Sequence, residues 1–283
     1  MGTSTSSKGG GPRSPFDPEW LDGPAGGGGG DGDGGEGGDG QRDGDGDGGG
    51  DGPQGEGAPA QQATVANPSR RLAAARTAMS GALAGGGRDD FKAAAKRMVG
   101  RGMGGPARAA STMRSTAQGA GALGQFLTQA RDGTNAGVVN WVQRVRAANL
   151  SAEDLILEVV KEVIPNSGSI DEESLRNAAT ETFSMLYETS PDVDIFNLTD
   201  RQIADVIGFT VANDICNRVD LLLGQSYEKL KYTPQQVQLC RNDIREYVRG
   251  LVRVELDKLG PRPVDSHGLA SDVLAATLEV FGE

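Results

Sequence analysis

Apolar residues recur at intervals of three and four along most of the chain after residue 67, which is the spacing of an amphipathic α-helix. The clearest stripes begin at Leu72, Val138, Leu155, Leu175, Ile203 and Val237. No segment shows the convincing apolar–polar alternation of a half-buried strand. The pattern therefore predicts an all-α fold, a helical bundle that occupies at most residues 67–283.

Polar residues at the predicted helix starts match the preferences of helix N-termini. The segments Thr199–Gln202 and Thr233–Gln236 have the spacing of a capping box, in which each side chain bonds the other residue's backbone. Ser151 and Asp171 are predicted to cap the helices that follow them, and Asn67 is predicted to cap the first helix.

Glycines mark interruptions and contacts among these helices. A small-residue helix is expected from Pro106 to about Ala130, and its glycines at 119, 121 and 124 indicate close helix–helix approach or marginal order. The run Gly100–Gly105 formally contains G-x-G-x-x-G, but a helix precedes it where a dinucleotide site needs a strand. This run is therefore predicted to be a turn between helices. The last helix is expected from about Leu269 to Phe281.

Residues 1–66 lack any such pattern. Of the 44 glycines in the chain, 24 fall within residues 1–60, and aliphatic residues are nearly missing between Trp20 and Ala58. Such a segment cannot bury enough apolar area to offset chain entropy, so a long disordered Gly/Asp-rich tail is predicted. It divides into a recognition peptide at 1–22 and a spacer at 23–66 with a reach of roughly 35–40 Å.

Charge is distributed in three blocks. The net charge is −9 over residues 1–60, +9 over residues 61–131 and −11 over residues 132–283. The body is accordingly divided into a basic, Ala/Gly-rich helical segment at 67–131 and an acidic α-helical domain at 132–283.

The basic segment supports several interpretations, which include a simple solvated face and packing against the chain's own acidic blocks. It could dock an acidic partner, through Arg70, Arg71, Lys96 and Arg97 among others, or it could neutralise the phosphates of a nucleic acid. Phe91 is the only aromatic residue between Arg70 and Arg114, which disfavours stacking on single strands. Partner docking is the favoured interpretation, and nucleic-acid binding or a scaffold role remains the alternative.

Residue types that carry catalysis are scarce. The single histidine, His267, is predicted to lie in a surface loop, and Cys216 and Cys240 are predicted to be buried packing thiols. Acidic clusters lie at predicted helix starts, without the other ligands that a metal site needs. No apolar run reaches 18 residues, and the N-terminus has no apolar core of a secretory signal. We expect a cytoplasmic, non-enzymatic protein without metal, cofactor or membrane span.

The N-terminal 22 residues differ from the spacer in composition. Pro15, Phe16, Pro18 and Trp20 give an extended peptide with apolar anchors. The start MGTSTS fits the pattern of N-myristoylation, and it also offers an uncrowded α-amine at Gly2 once Met1 is removed. The third possibility is that the N-terminus is free and carries no modification.

Taken together, MGTSTSSKGGG, the Ser-Pro-x-x-Pro-x-Trp element and the Gly-rich spacer resemble the QatB family of the Qat anti-phage defence system. The runs Lys96–Gly105 and Phe196–Asp200 are similar to that family as well. The resemblance implies partnership with a QueC-like enzyme, an ATPase and a TatD-like nuclease. It further implies that the QueC-like enzyme attaches a deazaguanine to Gly2, with Thr3, Ser4 and the Pro/Trp element as the recognition segment.

Overall fold

The computed structural model describes residues 68–165, 168–228, 232–259 and 265–283. All regular structure within these ranges is helical, which confirms the all-α prediction there. The predictions for the tail, including the recognition peptide and the spacer, lie outside the described residues. None of the described helices combines the length and the apolar character that crossing a bilayer requires.

Eleven α-helices are found in the described ranges. They are α1 Pro68–Arg71, α2 Ala73–Gly81, α3 Gly87–Arg97, α4 Pro106–Thr112, α5 Arg114–Asp132, α6 Ala136–Ala147, α7 Ala152–Val163, α8 Ile170–Thr189, α9 Asp200–Leu223, α10 Pro234–Leu259 and α11 Ser266–Gly282. Turns of π type, Ala82–Gly86 and Met98–Gly102, follow α2 and α3, and a 3₁₀ turn follows α9.

Helix α9 forms the centre of the bundle. It is buried on most of its surface and packs against α5, α8, α10 and α11, and α5 and α11 also pack closely against each other. Residues Asn67–Glu283 constitute one compact unit. The boundary predicted at residue 131 stays a division of the sequence by charge.

The predicted caps at Ser151, Thr199 and Thr233 are confirmed, and the cap predicted at Asn67 lies outside the described residues. The side chains of Thr199 and Gln202 bond each other's backbone N–H groups, and Thr233 and Gln236 do the same before α10. Ser151 caps α7. The prediction for Asp171 is wrong: Ser169 accepts the hydrogen bond from Glu172 N, and Asp171 lies inside the first turn of α8.

Two other boundaries differ from the prediction. The helix expected from Pro106 to Ala130 is broken at Met113, which has φ −92° and ψ 24° and is buried. The last helix begins three residues earlier than expected, because Asp265 caps it by accepting a hydrogen bond from Gly268 N. His267 therefore lies in the first turn of α11 and not in a loop, although it is exposed as expected.

The glycines of α5 allow close packing. A Cβ on Gly119 would collide with the Leu175 side chain, one on Gly121 with His267, and one on Gly124 with Ile207. Close approach is therefore the reason for these glycines, and α5 is well ordered along its length despite their low helix propensity.

Candidate partner-binding site

The first three helices fold into a compact corner of the bundle. Small side chains let α2 and α3 approach closely, and the turn between them uses Gly85 (φ 103°) and Gly87 (φ 65°) in a region that favours glycine. Phe91 points inward and meets Tyr247 and Phe281 edge-on, with ring centroids 5.7 and 6.1 Å apart. This packing fixes α3 on the bundle, with Lys92, Lys96 and Arg97 on its exposed side.

Three cations of this corner share one concavity. Lys96, Arg97 and Arg101 line a cleft of about 580 Å³, which we call the basic cleft. Its remaining walls are small residues of α2, α3, the following turn and the end of α11, namely Ala74, Ala93, Gly100 and Gly282.

Two of the cations are held by backbone oxygens. Arg97 Nη1 donates to the carbonyl oxygen of Ala74, at 3.4 Å, and Lys96 Nζ donates to the backbone oxygen of Glu283. These bonds join α3 to α2 and to the end of α11, so the two side chains are partly fixed at the cleft.

Of the four predicted partner-binding residues in the body, Lys96 and Arg97 are brought together in the cleft. Arg70 and Arg71 lie on α1, which packs beside the Met98–Gly102 turn, and neither lines the cleft. Arg101, which also lines the cleft, was not predicted as a site residue. Its spacing of four from Arg97 was the signal that could have found it. The remaining predicted site residues, Gly2, Thr3, Ser4, Pro15, Phe16, Pro18 and Trp20, lie outside the described residues.

Ion pairing differs sharply between the two charge blocks of the body. Between Arg70 and Arg114 there are ten basic residues, and none has a nitrogen within 4 Å of a side-chain carboxylate of the described residues. Eight of the eleven described bases after residue 131 do have such a partner. The bases from Arg70 to Arg114 thus have no side-chain carboxylate partner among the described residues, although Arg131, the last base of the basic segment, pairs with Asp132 and Asp200. The acidic part pairs most of its own described bases.

The strongest internal pairing is buried between α5, α8 and α9. Arg218 Nη1 lies 2.6 Å from Asp171 Oδ1, and its Nε lies 3.2 Å from Asp214 Oδ2. Asp214 also accepts hydrogen bonds from the hydroxyl groups of Thr116 and Ser174. This network is satisfied internally, so we assign it to the frame of the bundle rather than to a site.

The two thiols are buried, and the histidine is exposed at a contact between helices. Burial raises the pKa of the Cys216 thiol to about 12 and that of Cys240 to about 11, which keeps both protonated at neutral pH. Both cysteines are free and buried, as predicted. His267 Nε2 lies 3.3 Å from Gln125 Oε1 on α5, and this is a contact between helices. Within the described ranges, no three His, Cys, Asp or Glu side chains are grouped so that they could hold a metal ion.

A second concavity lies between α8, α9 and α10. It has a volume of about 470 Å³ and an apolar floor that includes Met185, Leu186 and Phe209. Arg253 lies 5.9 Å from the centre of the Phe209 ring, and burial raises the pKa of Asp205 at the rim. Cations and acids alternate around this groove, so it has no dominant charge.

Comparison with known families decides where the chain belongs. The family model described as Qat anti-phage system associated protein QatB matches residues 104–281, which is more than half of the chain. The chain belongs to the QatB family. Membership makes it a protein associated with an anti-phage defence system of the Qat type. The comparison with curated proteins gives no match, and neither does the comparison with solved structures.

The QatB match has a definite position on the fold. It starts at Gly104, directly before α4, and extends almost to the end of α11. The matched region therefore contains α4 to α10 and the buried Asp214–Arg218 network. Helices α1 to α3, with Lys96, Arg97 and Arg101, precede the matched region. The residues that line the basic cleft all lie outside the matched region, in the preceding segment and at Gly282, which follows it directly.

Proposed function

We propose that this chain is a non-enzymatic subunit of a Qat anti-phage defence system and the protein substrate of a QueC-like enzyme, which attaches a deazaguanine to Gly2. The observation that carries the proposal is the QatB match combined with the N-terminal sequence MGTSTS and its Ser-Pro-x-x-Pro-x-Trp element. The helical body binds the partner, with Arg70, Arg71, Lys96 and Arg97 on its docking surface. The ATPase and the TatD-like nuclease of such a system are further partners, and all act in the cytoplasm.

The reaction requires one group of the protein substrate, the free α-amine of Gly2. The enzyme activates the carboxyl group of a carboxy-deazaguanine with ATP, and the α-amine of Gly2 then attacks the activated carbon. An amide bond forms, the activating group leaves, and a proton passes to solvent. An α-amine with a pKa near 7.7–8.0 in ordinary peptides is partly neutral at cellular pH, and glycine places no side chain beside it. Tethering to a docked body raises the effective concentration of the amine at the enzyme.

Intact-mass spectrometry tests the proposal. The full chain, co-expressed with a QueC-like enzyme of the same defence operon, should gain the mass of carboxy-deazaguanine less one water. Fragmentation should place that mass on Gly2. Gly2→Leu should abolish the gain, since a bulky second residue retains Met1, and Lys8→Arg should leave it intact. An unmodified chain in the presence of active enzyme, or a modified lysine, would reject the proposal.

A nucleic-acid-binding role for residues 67–131 is the second candidate. The ten bases between Arg70 and Arg114, which have no side-chain carboxylate partner among the described residues, favour it, because counterion release by such residues supplies most of the affinity for phosphates. The expected signature is binding to DNA or RNA that weakens steeply with salt. Retention of binding at high salt, or no binding at low salt, would contradict it.

A further inference from the structure

We infer that the basic cleft binds an acidic segment of a partner protein, with Arg97 and Arg101 as carboxylate-binding residues. The inference rests on the proposed function only in requiring that the body docks a partner. It adds Arg101 to the docking surface and specifies the chemistry of the bound segment.

Unneutralised charge is the first argument. Lys96, Arg97 and Arg101 converge on one cleft, and no side-chain carboxylate among the described residues lies within 4 Å of any of them. Lys96 already bonds the oxygen of Glu283, the last residue of the sequence, so Arg97 and Arg101 are the cations that lack an anion among the described residues. Two such cations repel each other unless anions are present, and concave walls focus the resulting positive potential. The cleft is therefore complementary to a ligand with several negative charges.

The walls of the cleft argue for carboxylates rather than nucleotides. Its lining contains no aromatic residue on which a base could stack, and its uncharged members are Ala74, Ala93, Gly100 and Gly282. Because these residues have small side chains or none, the extended main chain of a bound peptide can lie close to the helix backbones. The volume of about 580 Å³ falls in the usual range for pockets, whereas a specific DNA site buries on the order of 1,000 Å² or more of protein surface.

The arrangement of the guanidinium groups supports the same ligand. Arg97 and Arg101 are four residues apart, Arg97 in the last turn of α3 and Arg101 in the turn that follows, so both lie on one side of the chain. Arg97 uses one N–H on Ala74 and keeps other donors of its planar fork for a carboxylate. Two such forks at this spacing suit acidic side chains that alternate along an extended peptide, since those recur on one side at every second residue.

A binding experiment with the full chain tests the inference. The probe is a fluorescein-labelled peptide of alternating Glu and Gly, measured by anisotropy at low and at physiological salt. The wild-type chain should bind it, and affinity should fall as salt rises. The double variant Arg97→Glu, Arg101→Glu should weaken binding about tenfold, because two exposed charge pairs are lost and repulsion replaces them.

Matched variants separate the cleft from net charge. Arg144→Glu combined with Arg253→Glu changes the net charge by the same four units, at exposed residues of α6 and α10 that do not line the cleft, and should change affinity less than about twofold. Arg97→Gln with Arg101→Gln removes the two positive charges without adding negative ones and should give an intermediate loss. If circular dichroism shows that the Glu variant does not fold, the Gln variant is used to test the inference.

Three results would overturn the inference: no binding by the wild-type chain, equal losses in the cleft variant and the Arg144, Arg253 variant, or much tighter binding of an oligothymidine of equal charge that the cleft variants abolish. The last would assign the cleft to nucleic acid. Gly2→Leu should leave peptide binding unchanged. Failure of Gly2 acylation with intact peptide binding would therefore reject the proposed function and keep the cleft, and the converse result would reject the cleft alone.

Discussion

Replacing Arg218 by Met would show how much of the bundle's stability depends on its buried ion network. The Arg218 side chain is 2% exposed and that of Asp214 is fully buried. The substitution keeps a long apolar stem and removes the guanidinium. Asp214 is then left as a buried carboxylate with only the hydroxyl donors of Thr116 and Ser174.

An uncompensated buried charge of this kind costs about 3–5 kcal/mol. For a folded unit of this size, each kcal/mol lowers the melting temperature by about 2–4 °C, so a fall on the order of 10 °C is expected. The double variant Arg218→Met, Asp214→Asn removes both charges and still offers an amide oxygen to the two hydroxyls. It should recover most of the loss, because the cost comes from the unpaired charge and not from missing contacts.

Urea unfolding of the full chain, followed by far-UV circular dichroism, measures these differences. Arg146→Met is the matched control, since Arg146 pairs with Asp194 at 2.6 Å while both side chains are about half exposed. It should cost less than about 1 kcal/mol. Equal stabilities of the Arg218→Met and Arg146→Met proteins, or a double variant less stable than Arg218→Met alone, would refute the reasoning.

Two further predictions concern packing and pH. Gly121→Ala should destabilise the fold by about 1–3 kcal/mol, because its Cβ would lie 2.9 Å from the backbone Cα of His267. Gly250→Ala, on α10 with open space around it, should instead stabilise by about 0.5–1 kcal/mol in the same assay, and a loss at Gly250 would contradict the argument. Above about pH 9, stability should fall by up to about 1.4 kcal/mol per pH unit for Cys216, because the unfolded thiol ionises while the folded one, with its pKa of about 12, stays protonated. Cys216→Ala should flatten this slope in urea midpoints measured across the alkaline range, and an unchanged slope would show that other groups cause it.

Local signals explain which parts of the fold the sequence predicted. The capping boxes at Thr199 and Thr233 use residues three apart, and the apolar stripe of α9 repeats every three or four residues. Such interactions depend on neighbours along the chain. The break at Met113 was missed because it depends on tertiary packing: Met113 is buried, and α4 and α5 both pack on α11, a helix more than 130 residues away.

In the site, too, local sequence patterns predicted some residues, whereas contacts between residues distant in sequence determine the rest. Lys96 and Arg97 were selected because the sequence places them in a basic helix, and the cleft contains both. The cleft itself is formed by Ala74 and Gly282, which come from opposite ends of the body. The sequence also indicated Asp171 as the cap of α8, where the structure has Ser169, and the role that Asp171 has instead depends on a long-range contact. Asp171 bonds Arg218, 47 residues away, and no local pattern indicates that partner.

The segregation of charge in the body does not come from a shortage of acids. Residues 132–283 contain 25 acids and 14 bases, so carboxylates remain after every base there is counted. The described fold nevertheless leaves the ten bases between Arg70 and Arg114 without a side-chain carboxylate, while it pairs Arg218, Arg245 and Arg249 internally. A protein that only needed to fold would gain by bringing the two sets together, because unlike charges at close range attract and like charges repel. Keeping them apart leaves positive and negative charge on different parts of the surface. In proteins generally, such an arrangement speeds and orients association with charged partners, which is the physical basis of the docking proposal.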